Sequence, residues 1–343
     1  MPETTAYAAL SDRLLSLTDD GHTEPSIRER LVGHDLQSVA ASPDRPDRAF
    51  VGTVESGIQR TTDGGDTWER VSGIDDRVTA LAVSPHDPDV VWAGTEPSVV
   101  YRSTDGGDSW VACSPLTDLP SASDWSYPPR PDTHHVRWIE PDPHERDRLY
   151  VAVEAGALLR TGDGGETWTD RPEGARRDNH TLATHPDTPG RVYAAAGDGY
   201  AQSGDGGDTW AHPQTGLDHR YVWGVAVPRS DPDTVVVSAA SGARSAHSVG
   251  AAESLVYRTT DAARAGAGRD DGVEWSLAMD GLPEPEGTVR SDLAAGPDGR
   301  LYALNNNGIY RSDDAGERWD RLGVEWPTEY ESGTPHGMVV VRS

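Results

Sequence analysis

Short apolar runs alternate with polar turns along almost the whole chain. One stretch shows the pattern in full: Val78-Thr-Ala-Leu-Ala-Val83, a polar Ser-Pro-His-Asp-Pro-Asp turn, Val90-Val-Trp-Ala-Gly-Thr95, then Val99-Val-Tyr-Arg-Ser103. Runs this short, bounded by Pro, Gly and Asp, predict strands and not helices. The repeating unit is a first strand, a second, a third, a tight turn and an outer strand. First strands are expected to start near Leu36, Val78, Val136, Thr181, Val222, Ser291 and Met338, which makes seven. Second strands follow only six of these, at 49–53, 90–94, 149–153, 192–195, 235–238 and 301–304. The missing partner is expected at the N-terminus, where 5–10 reads as a second strand and 14–18 as a third, with Asp19-Asp-Gly21 in the turn position.

The turn after each third strand repeats. It reads Thr61-Thr-Asp-Gly-Gly-Asp-Thr-Trp68, Ser103-Thr-Asp-Gly-Gly-Asp-Ser-Trp110, Thr161-Gly-Asp-Gly-Gly-Glu-Thr-Trp168 and Ser203-Gly-Asp-Gly-Gly-Asp-Thr-Trp210. A worn copy is Ser312-Asp-Asp-Ala-Gly-Glu-Arg-Trp319, and another, begun at Thr259-Thr-Asp261, is interrupted until Glu274-Trp275. Asp63 to Asp105 and Asp163 to Asp205 are each 42 residues apart, a spacing within the range of propeller blades. The motif resembles the Asp box, or BNR repeat, of sialidases, sortilin-type receptors and photosystem II assembly factors. That resemblance implies an all-β propeller in a single domain over 1–343 and no particular activity. Seven four-stranded blades are expected. The last would be shared by about 1–31 and 335–343, so that the C-terminal inner strand pairs with the N-terminal strands and leaves no free sheet edge. Six blades with frayed ends is the alternative. Asp63, Asp105, Asp163, Asp205 and Asp314 are read as turn formers that accept backbone N–H bonds. Trp68, Trp110, Trp168, Trp210 and Trp319 are read as packing anchors.

Charge changes the picture next. The chain carries 57 acidic residues against 30 basic ones, a formal net charge of −27, and every basic residue is Arg. Such a surface repels nucleic acid and anionic membranes. Acidic residues spread along the chain suit molar salt, where screening is nearly complete. The expectation is a monomer in the cytoplasm of a salt-adapted organism. The start of the chain has neither the basic nor the apolar segment of a secretory signal, and no run is long enough to span a membrane as a helix. The single cysteine, Cys113, excludes an intrachain disulfide.

Candidate chemistry lies just before the inner strands, at the expected channel mouth. His34, Arg77, His134, His135, His180, His219, Arg220, Arg290 and His336 stand there. A ring of His and Arg in a Lys-free acidic chain points to an anionic ligand. Acidic neighbours, Asp35, Asp76, Asp132, Asp178, Asp218 and Asp292, give the alternative of an internally neutralised network. Arg130, Arg137, Glu154, Asp198 and Trp223 join the candidate set from adjacent loops and strands, and alternation should put His135 with Arg137 and Asp178 with His180. Insertions at 116–131, with Trp125 and Tyr127, and at 241–253, with His247, are expected on the same face. The insertion at 262–272 is expected on the opposite face as a mobile decoration.

Three functions remain. The first is a binding or assembly module for a small anionic ligand, a carbohydrate or a protein. The second is a hydrolase or lyase for acidic sugars. For that, the sialidase resemblance implies an Arg cluster (Arg137, Arg220, Arg290) and Glu154 or Asp178 as acid or base, though the early Arg-Ile-Pro-like element of sialidases is absent. His134, His135 or His180 as base would indicate a lyase. The third is metal binding by His134, His135, His180 and Asp178 or Glu154, for which no compact ligand motif is present. No cofactor is expected, because the Asp-Gly-Gly runs precede a Trp and a strand, not a helix N-terminus.

Overall fold

The computed structural model describes residues 4–19, 25–71, 73–265 and 272–342. Asp20 and Gly21 of the expected N-terminal turn lie outside these. Seven antiparallel sheets form a seven-bladed β-propeller. Its inner strands are Leu36–Ser42, Arg77–Val83, Val136–Pro141, Asn179–Thr184, Tyr221–Ala226, Asp292–Ala295 and Gly337–Arg342. Numbered in that order, each blade's inner strand contacts the next, and the seventh contacts the first. The seventh sheet sets Gly337–Arg342 beside Thr4–Ala9, followed by Leu14–Asp19 and Ser26–Arg30. Its register pairs Ala6 with Val340 and Tyr7 with Val339. That seventh sheet overturns the six-blade alternative. Blade four has three strands, its fourth reduced among the described residues to the bridge between Gln202 and Ala211. Among the described residues no helix is long and apolar enough to cross a membrane.

Five inner strands carry one residue more than their partner strand. The pairing skips Gln37, Thr79, Arg137, His180 and Trp223. A bulge of this kind bends the strand and re-aims a side chain. Here it turns side chains toward the axis, and carbonyls at the bulges are taken up by the preceding blade. Thr79 Oγ1 donates to the Val136 carbonyl at 2.6 Å, and Thr181 Oγ1 to that of Trp223 at 2.8 Å.

Blades dock through the repeated turn. In blade two, Asp105 Oδ1 accepts from Ser103 Oγ (2.7 Å) and Ser109 N (2.9 Å), and Oδ2 accepts from the Ser109 hydroxyl. Asp63, Asp163 and Asp205 do the same, and Asp314 does so without the last hydroxyl. The next blade in the ring supplies the turn and the previous one the filler. Gly107 has φ +91°, and a Cβ there would strike the ring of Phe50; Gly65 against Tyr7 and Gly207 against Tyr150 repeat the seat. Third-strand arginines then bridge to the neighbouring turn. Arg60 Nη1 reaches the Gly106 carbonyl at 2.8 Å and Asp108 at 2.7 Å. Arg160 pairs likewise with the Gly206 carbonyl and Asp208, and Arg258 with the Ala315 carbonyl and Glu317. The guanidinium offers five donors in a fixed geometry, which lets it meet a carbonyl and a carboxylate together.

One expectation needs correcting here. The start of the 262–272 insertion is anchored and not a loose decoration. Ala262 and Ala265 are buried, and both carbonyls accept from Gln202 Nε2, at 2.7 and 2.8 Å. Gln202 lies in the blade that lacks a full outer strand, so the insertion satisfies that blade's third strand.

Hydroxyl and backbone donors hold the Asp63, Asp105 and Asp163 carboxyls down to about 2. A pKa lowered in the folded state stabilises above the ordinary Asp value of about 3.9, and that contribution is lost as pH falls toward 2. A D63N/D105N/D163N variant should therefore lose less stability than wild type between pH 4 and pH 2. Urea midpoints in molar salt measure this; parallel curves would refute the role given to these turns.

Candidate functional site

The channel opens at one mouth into a cavity of about 540 Å³. Bulged inner strands supply Gln37, Thr79, Arg137 and Trp223. The 116–131 insertion supplies Tyr127, Pro128, Pro129 and Arg130. The short helix Ala243–His247 in the 241–253 insertion supplies Arg244 and His247. Both insertions thus face the site.

Trp223 is its hub. The guanidinium carbons of Arg137 and Arg290 lie 4.5 and 3.9 Å from its ring centre. His180 stacks obliquely on it at 4.5 Å, and His247 meets it edge-on at 4.5 Å. Its Nε1 donates to Asp292 Oδ1 at 3.0 Å. Desolvated cation–π contacts of this kind are worth about 2 kcal/mol.

The two arginines differ. Arg290 is fully engaged: it donates to Asp292 (2.5 Å), the Pro335 carbonyl (2.5 Å) and His247 Nδ1 (3.3 Å). Burial pulls its pKa down to about 10 against the opposing pull of Asp292, so it stays charged near neutrality. Because Arg290 can only donate, His247 Nδ1 must accept, which keeps that imidazole neutral. Burial and the Arg290 charge lower its pKa to about 2. Arg137 by contrast makes no hydrogen bond to protein among the described residues. Its side chain is 11% exposed, its Nε is buried without a partner, and Glu154 approaches it at 3.7 Å.

Glu154 follows the second strand Leu149–Val153, in a hairpin that faces the mouth. Burial alone would raise its pKa. The hydrogen bond from His135 Nε2 (3.1 Å) and the surrounding cationic groups outweigh that and hold it at about 2, an ionised carboxylate. Asp178 Oδ1 accepts from Ala155 N at 2.8 Å, and Asp178 Oδ2 lies 3.7 Å from His180 Nε2. Burial lowers the His180 pKa. Glycine at 197 is what admits this approach, since any Cβ there would collide with Asp178 Oδ2.

Eight of the expected ring and candidate residues therefore line the cavity: Arg130, His135, Arg137, Glu154, Asp178, Trp223, Arg290 and His336. His180 lies directly beneath. Six do not reach it. His34 contacts Ser56 Oγ, and Arg77 pairs with Glu96. His134 packs edge-on against Trp125 and accepts from Ser98 N. His219 shares a hydrogen bond with the Tyr257 hydroxyl. Asp198 pairs with Arg176 at 2.8 Å. Arg220 is exposed, so it does not join an arginine cluster. In five blades the bulge puts the inward position one or two residues inside the inner strand, while His135, Arg290 and His336 reach the cavity from just before theirs. Acidic partners also differ from expectation. Asp178 and Asp292 serve His180 and Arg290. Glu96 takes Arg130 and Arg77, and Glu154 takes His135. Tyr221 and Arg244 were not foreseen; Tyr221 has a residue signal, as an aromatic opening an inner strand.

At the far mouth a second cavity of about 530 Å³ is lined by Glu140 and the opposite ends of the inner strands. Burial raises the Glu140 pKa to about 7, against hydrogen bonds from Trp138 and Thr184.

The chain matches no known family profile and no curated protein. Its fold is similar to that of solved propellers. The GH74 enzyme of Niastella koreensis superposes with a TM-score of 0.67 at 16% identity, covering 96% of this chain and 55% of that one. The GH74 xyloglucanase of Xanthomonas campestris gives 0.62 at 16%, covering 92% and 54%. YCF48 bound to D1 peptide gives 0.57 at 19%, covering 84% and 80%. This chain spans about half the length of those GH74 proteins. At such identities the likeness concerns the fold.

A G197A substitution should force Asp178 out of place. The expected cost is roughly 1–3 kcal/mol for an overpacked site, read by chemical denaturation. Unchanged stability would mean that the 178–180 corner is not tightly built.

Proposed function

We propose that this is a ligand-binding propeller whose channel mouth takes a small carboxylate-bearing molecule against Arg137 and Trp223. One observation carries the reading: Arg137 is a nearly buried guanidinium that faces a cavity and, among the described residues, makes no hydrogen bond to the protein, Glu154 approaching only to 3.7 Å. A buried donor set left unmet is costly, and a carboxylate fits a guanidinium in two-point geometry. The partly exposed Tyr127 ring offers an apolar surface for the body of a sugar or a peptide side chain. Arg244, exposed on the rim, adds a second positive group.

The same reading takes the repeated turns as Asp boxes, supported by the shared Asp hydrogen bonding in five blades. It takes the ladder between Thr4–Ala9 and Gly337–Arg342 as what closes the ring. The solved neighbours support either a binding or an enzymatic use of such a ring.

A hydrolase or lyase for acidic sugars is the second reading, favoured by the Glu154 and Asp178 carboxylates, whose oxygens come within 4.8 Å of each other. Retaining glycosidases keep their carboxyls about 5–5.5 Å apart. That mechanism needs one protonated carboxyl, and Glu154 is held ionised at about 2. The carboxyl raised toward neutrality, Glu140, opens on the far mouth. Binding is therefore the better-supported reading.

Calorimetry with glucuronate, galacturonate, a short acidic peptide and neutral galactose separates these outcomes. At least one acid should bind and galactose should not. R137A should weaken binding by about 1.5–3 kcal/mol, the worth of a hydrogen bond to a charged group, and R137K should not restore it. Equal affinity in wild type and R137A, or no acid bound at all, would sink the proposal. Cleavage of an oligouronide would favour the enzyme instead.

A further inference from the structure

His180 Nδ1 lies 2.8 Å from the Val222 carbonyl. A carbonyl only accepts, so Nδ1 carries the ring proton and Nε2 presents a lone pair. That nitrogen belongs to a ring with no exposed surface, and it has no hydrogen-bond partner. It faces Asp178 Oδ2 at 3.7 Å, and Glu154 completes a group whose ligand atoms all lie within 4.8 Å of one another. A lone pair turned toward two carboxylates is repulsive unless positive charge sits between them.

We propose that Glu154, Asp178 and His180 hold a divalent transition-metal cation at the channel mouth. Each ligand is oriented from its other end, as metal ligands commonly are. The Val222 carbonyl fixes the His180 tautomer, Ala155 N holds Asp178 Oδ1, and His135 Nε2 holds Glu154. One imidazole with two carboxylates suits zinc, manganese or iron better than calcium or magnesium, which favour all-oxygen sets. Three protein ligands leave coordination positions open, and Glu154 and Asp178 both border the cavity. A proton on Nε2 is the competing solution, and complete burial of the ring opposes that charge.

This inference does not rest on the anion reading. A metal bound here would give a ligand carboxylate a second anchor beside Arg137, but metal uptake needs no organic ligand.

The test uses the full chain in molar salt, which screens the acidic surface. Protein stripped with a chelator is titrated with Zn²⁺, Mn²⁺ and Co²⁺, and the Co²⁺ visible spectrum is recorded. One saturable site is expected, with D178N and E154Q each weakening it by roughly tenfold or more. Anomalous diffraction from wild-type crystals grown with Mn²⁺ should place the ion among the three side chains, which decides the matter even if a variant fails to fold. No stoichiometric uptake by wild type, an anomalous peak elsewhere, or wild-type affinity in folded D178N and E154Q would overturn the proposal. Uronate titration of the stripped protein is scored separately, so failure of the anion reading leaves the metal result standing.

Discussion

Five inner strands each contain one residue that their partner strand does not match, and the arrangement at the channel follows from that mismatch. A regular strand would send alternate side chains to either face of its own blade. The extra residue bends the strand, turns Gln37, Thr79, Arg137 and Trp223 toward the axis, and sets His180 beneath them. It also interrupts the ladder, and the loose carbonyls at Val136, Val222 and Trp223 are recovered by Thr79, His180 and Thr181 of the preceding blade. The device that builds the site therefore also ties blade to blade. His180 and Thr181 each have one end committed to that tie.

The outer ring is joined by different chemistry with the same logic. Each repeated turn is shaped by its own Asp, and it is read by the preceding blade through a side chain beneath the second glycine (an aromatic at Gly65, Gly107 and Gly207, Cys113 at Gly165, Val236 at Gly316) and, in several blades, an arginine fork. An all-Arg cation set is intelligible in those terms. Arg60, Arg160 and Arg258 each meet a carbonyl and a carboxylate together, and Arg290 meets a carboxylate, a carbonyl and an imidazole. Few of these charges are left over. At the mouth Arg137 is the nearly buried one that makes no hydrogen bond among the described residues, and this is why it carries the functional reading.

Much of the fold was legible because its code is local. Apolar runs, Pro-bearing turns and the Asp-Gly-Gly motif located every inner strand within about two residues, and the orphan C-terminal strand pointed to the N-terminal partners. The site was legible in part. Arg137, Glu154, Asp178, His180, Trp223 and Arg290 stand out in the sequence, yet His134, His219 and Arg220 are grouped with them when the inward position is sought before the strand, and Asp198 when its hairpin is matched to that of Glu154. A bulge has no composition of its own: Gln, Thr, Arg, His and Trp all occupy it. Tyr221 and Arg244 depend on how an insertion folds back over the axis, which is a tertiary matter. Taking the second or third residue of each inner strand would have recovered Gln37 and Thr79.

Among the described residues the channel mouth thus combines a largely bonded frame with a few unsatisfied atoms: Arg137 Nε, His180 Nε2, His135 Nδ1 and Asp292 Oδ2. A rigid ring can hold such groups apart, where a looser fold would let them collapse onto one another. A crystal structure of the protein grown with glucuronate tests this most directly. The account predicts a carboxylate accepting from the Arg137 guanidinium beside the Trp223 ring. An empty mouth, with Arg137 turned into a two-point pair with Glu154 and no donor facing the cavity, would contradict it.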